Sequence, residues 1–322
     1  MKKILTALVA ILTSGILGLT AISNTKTVKA NENDTPVVTL GTSLTSSQKQ
    51  GTIDTLTQSL NGSNYTTITI TGADLVKYLN PSGYDFNNNS GVWSSAMIQK
   101  TSSGSGINVH ILPYNGHNNI TTITANQYKN AALTAGISDA DIYVTSATPI
   151  DGSGALAGVY AAYAKNGNSL NQNQINAAQT EMNTLSKITS QNKGKDGYSD
   201  AQLNNAVAGA KKEMAKQGQN ISDSQIRDIV NNQININHLG DTITNNQKEQ
   251  IINVLIKIKN SGALKDKNFQ QQAGQLADQI QSGAKNIFSK FNTPETRNWF
   301  QKLIDSIVSW FRRIFGGVIV LN

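Results

Sequence analysis

Six residues discipline any fold this chain can adopt. Thr45, Thr124, Asn171, Ser199, Ser222 and Thr244 each follow an apolar residue and precede a Gln by three positions. A side-chain oxygen at such a cap accepts from a backbone N–H of the first helical turn. The Gln amide can in turn reach back to the N–H of the cap residue. Each pair therefore predicts a helix start. Ile123 and Tyr128 bracket the second start as a hydrophobic staple, and Ile175, Leu203 and Ile226 stand where staple partners belong in the next three. The last four starts are separated by 28, 23 and 22 residues, which leaves room for one helix and a turn each. The pattern reads as short helices sharing a start code, with a weak internal repeat as the other reading. An apolar stripe runs from Ile226 to Ile258, and the Gln- and Asn-rich faces read as solvated.

The first half has a different texture. Val37–Leu40, Tyr65–Thr71, Ile107–Leu112 and Asp141–Thr145 are short β-branched runs with strand character. Helical patches lie between them, with Ile53, Leu56 and Leu60 on one face and Gly136 as a stop for the helix begun at Thr124. An Ala-rich helix spans Ala155–Ala164. The expected fold class is α+β or α/β: an N-terminal mixed α/β domain at 31–168, a helical domain at 169–292, and an amphipathic C-terminal helix and tail at 293–322.

Charge supports this division. The chain carries 27 basic and 20 acidic side chains, but four of the lysines fall in residues 1–30. Residues 31–169 hold 5 basic and 8 acidic groups, and residues 170–322 hold 18 and 12. That balance excludes a polybasic nucleic-acid binder. With no cysteine in the chain, disulfides and thiolate chemistry are excluded as well. Lys2 and Lys3 precede an apolar run from Ile4 to Ile22, and a polar segment closes in Val28-Lys29-Ala30. This order predicts a secretory signal peptide over 1–30 and a secreted, extracellular protein.

At the other end, Trp299, Phe300, Leu303, Ile307, Trp310 and Phe311 recur at helical spacing, with Arg312 and Arg313 largely opposite them. A helix with bulky aromatics on one side and cations on the other can lie in a membrane interface. Packing within the chain or self-association would use the same face. The expected partners are therefore a membrane surface or cell envelope and a second copy, with no nucleic acid.

Chemical sites are sparse. Gly152-Ser153-Gly154-Ala155-Leu156-Ala157 matches a G-x-G-x-x-A turn, yet no acidic residue between Asp151 and Glu181 stands where a ribose would need one. The better account is a glycine turn for close helix packing, with anion binding by the amides of Ser153, Gly154 and Ala155 as the other. Gly104 and Gly106 lie in a flexible turn before a strand. Gly104, Gly106, Asp151, Gly152, Ser153 and Gly154 are the candidate ligand-binding residues. His110 and His117 lack metal-ligand spacing, so no metal and no cofactor is expected. Serine hydrolysis lacks its G-x-S-x-G elbow, and no carboxylate pair stands out for glycan cleavage.

Several segments resemble one known family: Val38-Thr39-Leu40-Gly41, Ser94-Ser95-Ala96, Gly104-Ser105-Gly106-Ile107, Ala132–Ile137 and Pro149–Gly158. The chain is similar to the YpuA-like family of exported proteins from Gram-positive bacteria, catalogued as domain of unknown function 1002. The resemblance implies export and supplies no reaction. The expectation is an exported, non-enzymatic protein that associates with the envelope or binds a ligand. A hydrolase acting on envelope polymer, with both glycine loops in its site, and a self-assembling surface protein are the alternatives.

Overall fold

Five short strands form the floor of the protein in the computed structural model, which describes residues 35–289. They are β1 (Val37–Gly41), β2 (Thr66–Ile70), β3 (Ser94–Lys100), β4 (Ile107–Ile111) and β5 (Ala140–Ser146), arranged in the order β2-β1-β3-β5-β4. The outer pairs β1/β2 and β4/β5 are parallel, whereas β3 runs antiparallel to both β1 and β5. The sheet is thus mixed, and the protein is of the α+β class.

Alternation along β1 divides the sheet into two faces. Val38 and Leu40 join Leu56, Leu60 and Met97 in a small apolar cluster beneath helix α1 (Ser46–Thr57). Val37 faces the other way, into a much larger cluster that includes Ala96, Ile98, Ile142 and Val144. Helices α2 (Gly72–Tyr78), α3 (Ala125–Thr134) and α4 (Ser153–Lys165) cover this second face. The cluster does not end with them. It continues through α5 (Gln172–Asn192), α6 (Asp200–Gln217), α7 (Asp223–Ile236), α8 (Asn245–Asn260) and α9 (Lys267–Gly283) as far as Ile280. A short α10 (Lys285–Phe288) follows. The expected boundary at 168/169 lies in the turn between α4 and α5, and the apolar cluster passes across it without a break.

The start code works as the residue types require. Thr45, Thr124, Ser222 and Thr244 close reciprocal capping boxes with their Gln partners. Ser199 accepts from the Gln202 N–H, and Asn171 accepts from the N–H groups of Asn173 and Gln174. Helix α3 ends at Gly136 (φ 89°), where Ile137 N–H returns to Ala132 O and Gly136 N–H to Leu133 O. That pair of bonds is the Schellman pattern. The expected signal peptide and C-terminal amphipathic helix, including Trp299, Phe300, Leu303, Ile307, Trp310, Phe311, Arg312 and Arg313, lie outside the described residues.

Candidate functional site

The two glycine loops occupy opposite ends of one strand. Gly106 O accepts from Ala140 N–H at the start of β5, while Gly154 packs on Ser94, the register partner of Ser146 at its far end. Seven strand residues separate them, roughly 20 Å at ~3.3 Å per residue. A pocket uniting Gly104 and Gly106 with Asp151–Gly154 is therefore ruled out by the sheet, and the hydrolase site drawn across both loops must be corrected to two unconnected turns.

At the β3–β4 turn, Gly104 and Gly106 have φ values of 81° and 79°. Gly106 N–H donates to Asp139 Oδ1 at 3.1 Å, which pins the entry to β4. Gln275 from α9 donates to Gly104 O at 3.0 Å, so the turn is clasped by a helix more than 160 residues away in sequence. Asp141 accepts from Asn108 Nδ2 at 2.9 Å. His110 stacks on Tyr143 with ring centroids 4.8 Å apart. Among the described residues, no three His, Asp or Glu side chains group as metal ligands.

The α4 start is denser. Asp151 Oδ1 accepts from both Ser153 N–H (3.1 Å) and Ser153 Oγ (3.0 Å), and Gly152, at φ 102°, turns the chain into the helix. Tyr128 OH donates to Gly152 O at 2.5 Å. Tyr84, stacked on Phe86, donates to Asn183 Oδ1. Burial, and then the Asp151 charge, push the Tyr84 phenol up to about 12, and the same causes hold the wholly buried Tyr128 well above its usual value. Both phenols stay protonated at neutral pH and act as donors.

An anion at this turn would need free backbone amides, and two of the three are occupied. Ser153 N–H is taken by Asp151, and Ala155 N–H returns to Gly152 O at 3.1 Å. The glycines have packing roles instead. A Cβ on Gly154 would meet Ser94 Oγ at 3.0 Å, and one on Gly158 would meet Thr39 Oγ1 at 2.5 Å. Close approach of α4 to β1 and β3 depends on both.

The most extensive polar assembly was not visible as a motif. Lys211 (α6) contacts Glu181 Oε1 (α5) at 2.6 Å, and both side chains are fully buried. The ammonium also donates to Asn130 O (2.8 Å) and Oδ1 (3.2 Å) of α3. Glu181 Oε2 accepts from Thr134 Oγ1 at 2.6 Å. Asn130 links onward to Asn204, and Asn204 donates to Asp200 Oδ1. Asp200 further accepts from Thr124, Gln127 and Thr189. Three helices are thereby registered on one another through bonds that leave little freedom to slide. A clue did exist: Lys211 continues the apolar spacing Leu203–Val207 toward Met214, and Glu181 sits between Ala178 and Leu185. Charges on apolar stripes announce a pairing, though not its partner.

Asp200 carries a testable consequence. Burial raises its pKa, with the bonds from Thr124, Thr189, Asn126 and Asn204 opposing the rise. A carboxyl whose folded pKa exceeds its unfolded value binds its proton more tightly when folded. Its contribution to stability therefore grows as pH falls from neutral through the folded pKa toward the ordinary 3.8. Urea unfolding of wild type and Asp200→Asn across that range should show the wild type gaining on the variant as pH falls. A gap that shrinks would contradict the raised pKa.

A cleft of about 240 Å³ opens between the end of α7 and the start of α8, with Asn231, Asn235, Thr244 and Lys248 around an Ile234–Ile243 floor. Amides, a hydroxyl and one cation over an apolar base suit a small polar molecule better than an apolar one.

Fold and sites together define an α+β protein whose mixed sheet is buried on one face by a continuous helical layer. The chain belongs to the family described as "Protein of unknown function (DUF1002)", which matches residues 40–276. It is 30% identical over 279 residues to the uncharacterized protein YpuA of Bacillus subtilis (strain 168), covering 86% of this chain and 88% of that protein. No solved structure matches.

Proposed function

We propose that this is an exported protein that binds rather than transforms its ligand, and that it works close to the cell envelope. One observation carries the preference for binding over hydrolysis. The residues a catalytic reading needs are committed to holding the fold: Asp151 caps α4 through Ser153, Asp139 pins the β4 entry, and the two loops stand at opposite ends of β5. A nucleophile requires a base within about 3 Å whose own bonding leaves it free to take a proton. The Ser153 hydroxyl instead donates to a carboxylate two residues back in a local turn. The α7–α8 cleft offers a place for a small polar ligand.

Envelope association rests on sequence at both ends. The basic-then-apolar order of residues 1–30 supports export, and the Trp/Phe face with Arg312 and Arg313 supports attachment to an anionic surface. Co-sedimentation with anionic and neutral liposomes tests this, comparing residues 31–322 with a chain ending at Asn292. The longer chain should pellet with anionic vesicles in a salt-sensitive manner, and the shorter chain should remain in solution. Equal partitioning of the two would remove attachment from the reading.

A further inference from the structure

Among the described residues no strand pairs with the outer side of β2, and this edge points to a surface for a second copy of this chain. Thr66 N–H donates to Pro36 O and Thr42 N–H to Ile70 O, both at 2.9 Å, so residues 66, 68 and 70 direct their main-chain groups toward β1. Alternation along a strand then sends the N–H and C=O of Thr67 and Thr69 outward. Beyond them the edge closes, because Thr71 N–H bonds Asp74 Oδ2 at 2.8 Å in the cap of α2. Thr67 and Thr69 thus offer two donors and two acceptors, and the Tyr65 C=O, trans to the inward Thr66 N–H, is a third acceptor.

Edge strands are usually blunted by a charge, a proline or a bulge. None is present here. Tyr65–Thr71 reads Tyr-Thr-Thr-Ile-Thr-Ile-Thr, and its pairing with β1 runs in unbroken register from Val37↔Thr66 to Gly41↔Ile70. Thr66, Thr67 and Thr69 are exposed, and Tyr65 is 38% exposed.

We propose that two copies pair antiparallel through β2 about a two-fold axis at Ile68. The pattern of outward groups selects this occupant and this register. Thr67 of each copy faces Thr69 of the other as a hydrogen-bonded pair, and the two such pairs use both outward N–H groups and both C=O groups of Thr67 and Thr69 in each strand. Ile68, half-buried on the α4 side, meets its own counterpart at the axis, where side chains of a non-hydrogen-bonded pair approach closely. Thr–Thr and β-branched pairs suit such positions, and no charge on the strand opposes its copy. The result is a ten-stranded continuous sheet.

The absence of cysteine from the chain makes a direct test available. In the intact mature protein, Ile68→Cys places two thiols across the axis at a spacing compatible with a disulfide, whereas Ser190→Cys, exposed on α5, places them elsewhere. Mild oxidation should convert the Ile68→Cys protein to covalent dimer much faster than the Ser190→Cys protein. In parallel, sedimentation velocity of the unmodified protein should show a concentration-dependent dimer. Thr67→Lys/Thr69→Lys, which sets Lys opposite Lys, should weaken that dimer by roughly tenfold or more with an unchanged melting temperature. A wild type that stays monomeric, a Lys variant that dimerises as well as wild type, or equal oxidation rates for the two cysteine variants would each overturn the proposal.

Discussion

Replacing Lys211 by Met is expected to lower the unfolding free energy by about 3–5 kcal/mol, the cost of leaving one member of a buried ion pair without its partner. Lys211 and Glu181 are both fully buried at 2.6 Å. Without the ammonium, Glu181 keeps only Thr134 as a donor among its bonds, and its charged form becomes the costly one. Adding Glu181→Met removes the stranded carboxylate, and the double variant should return to within about 1–2 kcal/mol of wild type or exceed it. Guanidinium unfolding of wild type, Lys211→Met, Glu181→Met and the double variant measures the cycle. A single variant within about 1 kcal/mol of wild type would mean that the pair is not buried as described.

The second large effect is expected at Gly152. Alanine there must adopt φ near 102°, a conformation L side chains rarely take, and its Cβ would stand 2.5 Å from Tyr128 OH and 2.7 Å from Ile120 Cγ2. Backbone strain and overpacking together are expected to cost roughly 2–5 kcal/mol. The two causes can be separated. Tyr128→Phe removes the hydroxyl that crowds the new methyl group, but it also removes the bond to Gly152 O. In the Gly152→Ala background Tyr128→Phe should therefore cost less than in wild type, and it should leave the backbone term intact. Strict additivity in thermal melts would count against the crowding. A binding role for the loop would instead predict a fold that tolerates alanine.

Much of the fold is legible locally. All six Ser/Thr/Asn-to-Gln pairs start helices, because a cap and its partner lie within one turn and need nothing from the rest of the chain. Gly136 ends α3 for the same reason. Four strands announce themselves by β-branched residues. The missing one, β3, is the central strand of the sheet. Ser94-Ser95-Ala96-Met97-Ile98-Gln99-Lys100 is polar at both ends and has a single β-branched residue. Its strand character comes from neighbours on both sides: Ser95 Oγ accepts from Gly41 N–H, and β5 pairs along its whole length. The capping box of Thr71 with Asp74 was likewise hidden, because an Asp in the Gln position falls outside the shared code.

The candidate site divides along the same line. Glycines at 104, 106, 152 and 154 are readable as turns, yet their placement at opposite ends of β5 follows from strand order, which no local pattern encodes. Lys211, Glu181 and Asp200 are readable as charges on apolar stripes. Their union across α3, α5 and α6 required the helices to be packed.

By itself the sequence determined where the six coded helices begin and where α3 ends, which residues alternate into a core, and that no disulfide or thiolate forms. These depend on hydrogen bonds and periodicities spanning a few residues. Tertiary structure alone decided the sheet order, the commitment of Asp139 to the Gly106 N–H, the burial of the Lys211–Glu181 pair and the open edge at β2. Each of these joins residues 29 to 61 positions apart or depends on which strand lacks a neighbour, and chain-distant contacts are selected by the packing free energy of the whole core rather than by any segment's own preference.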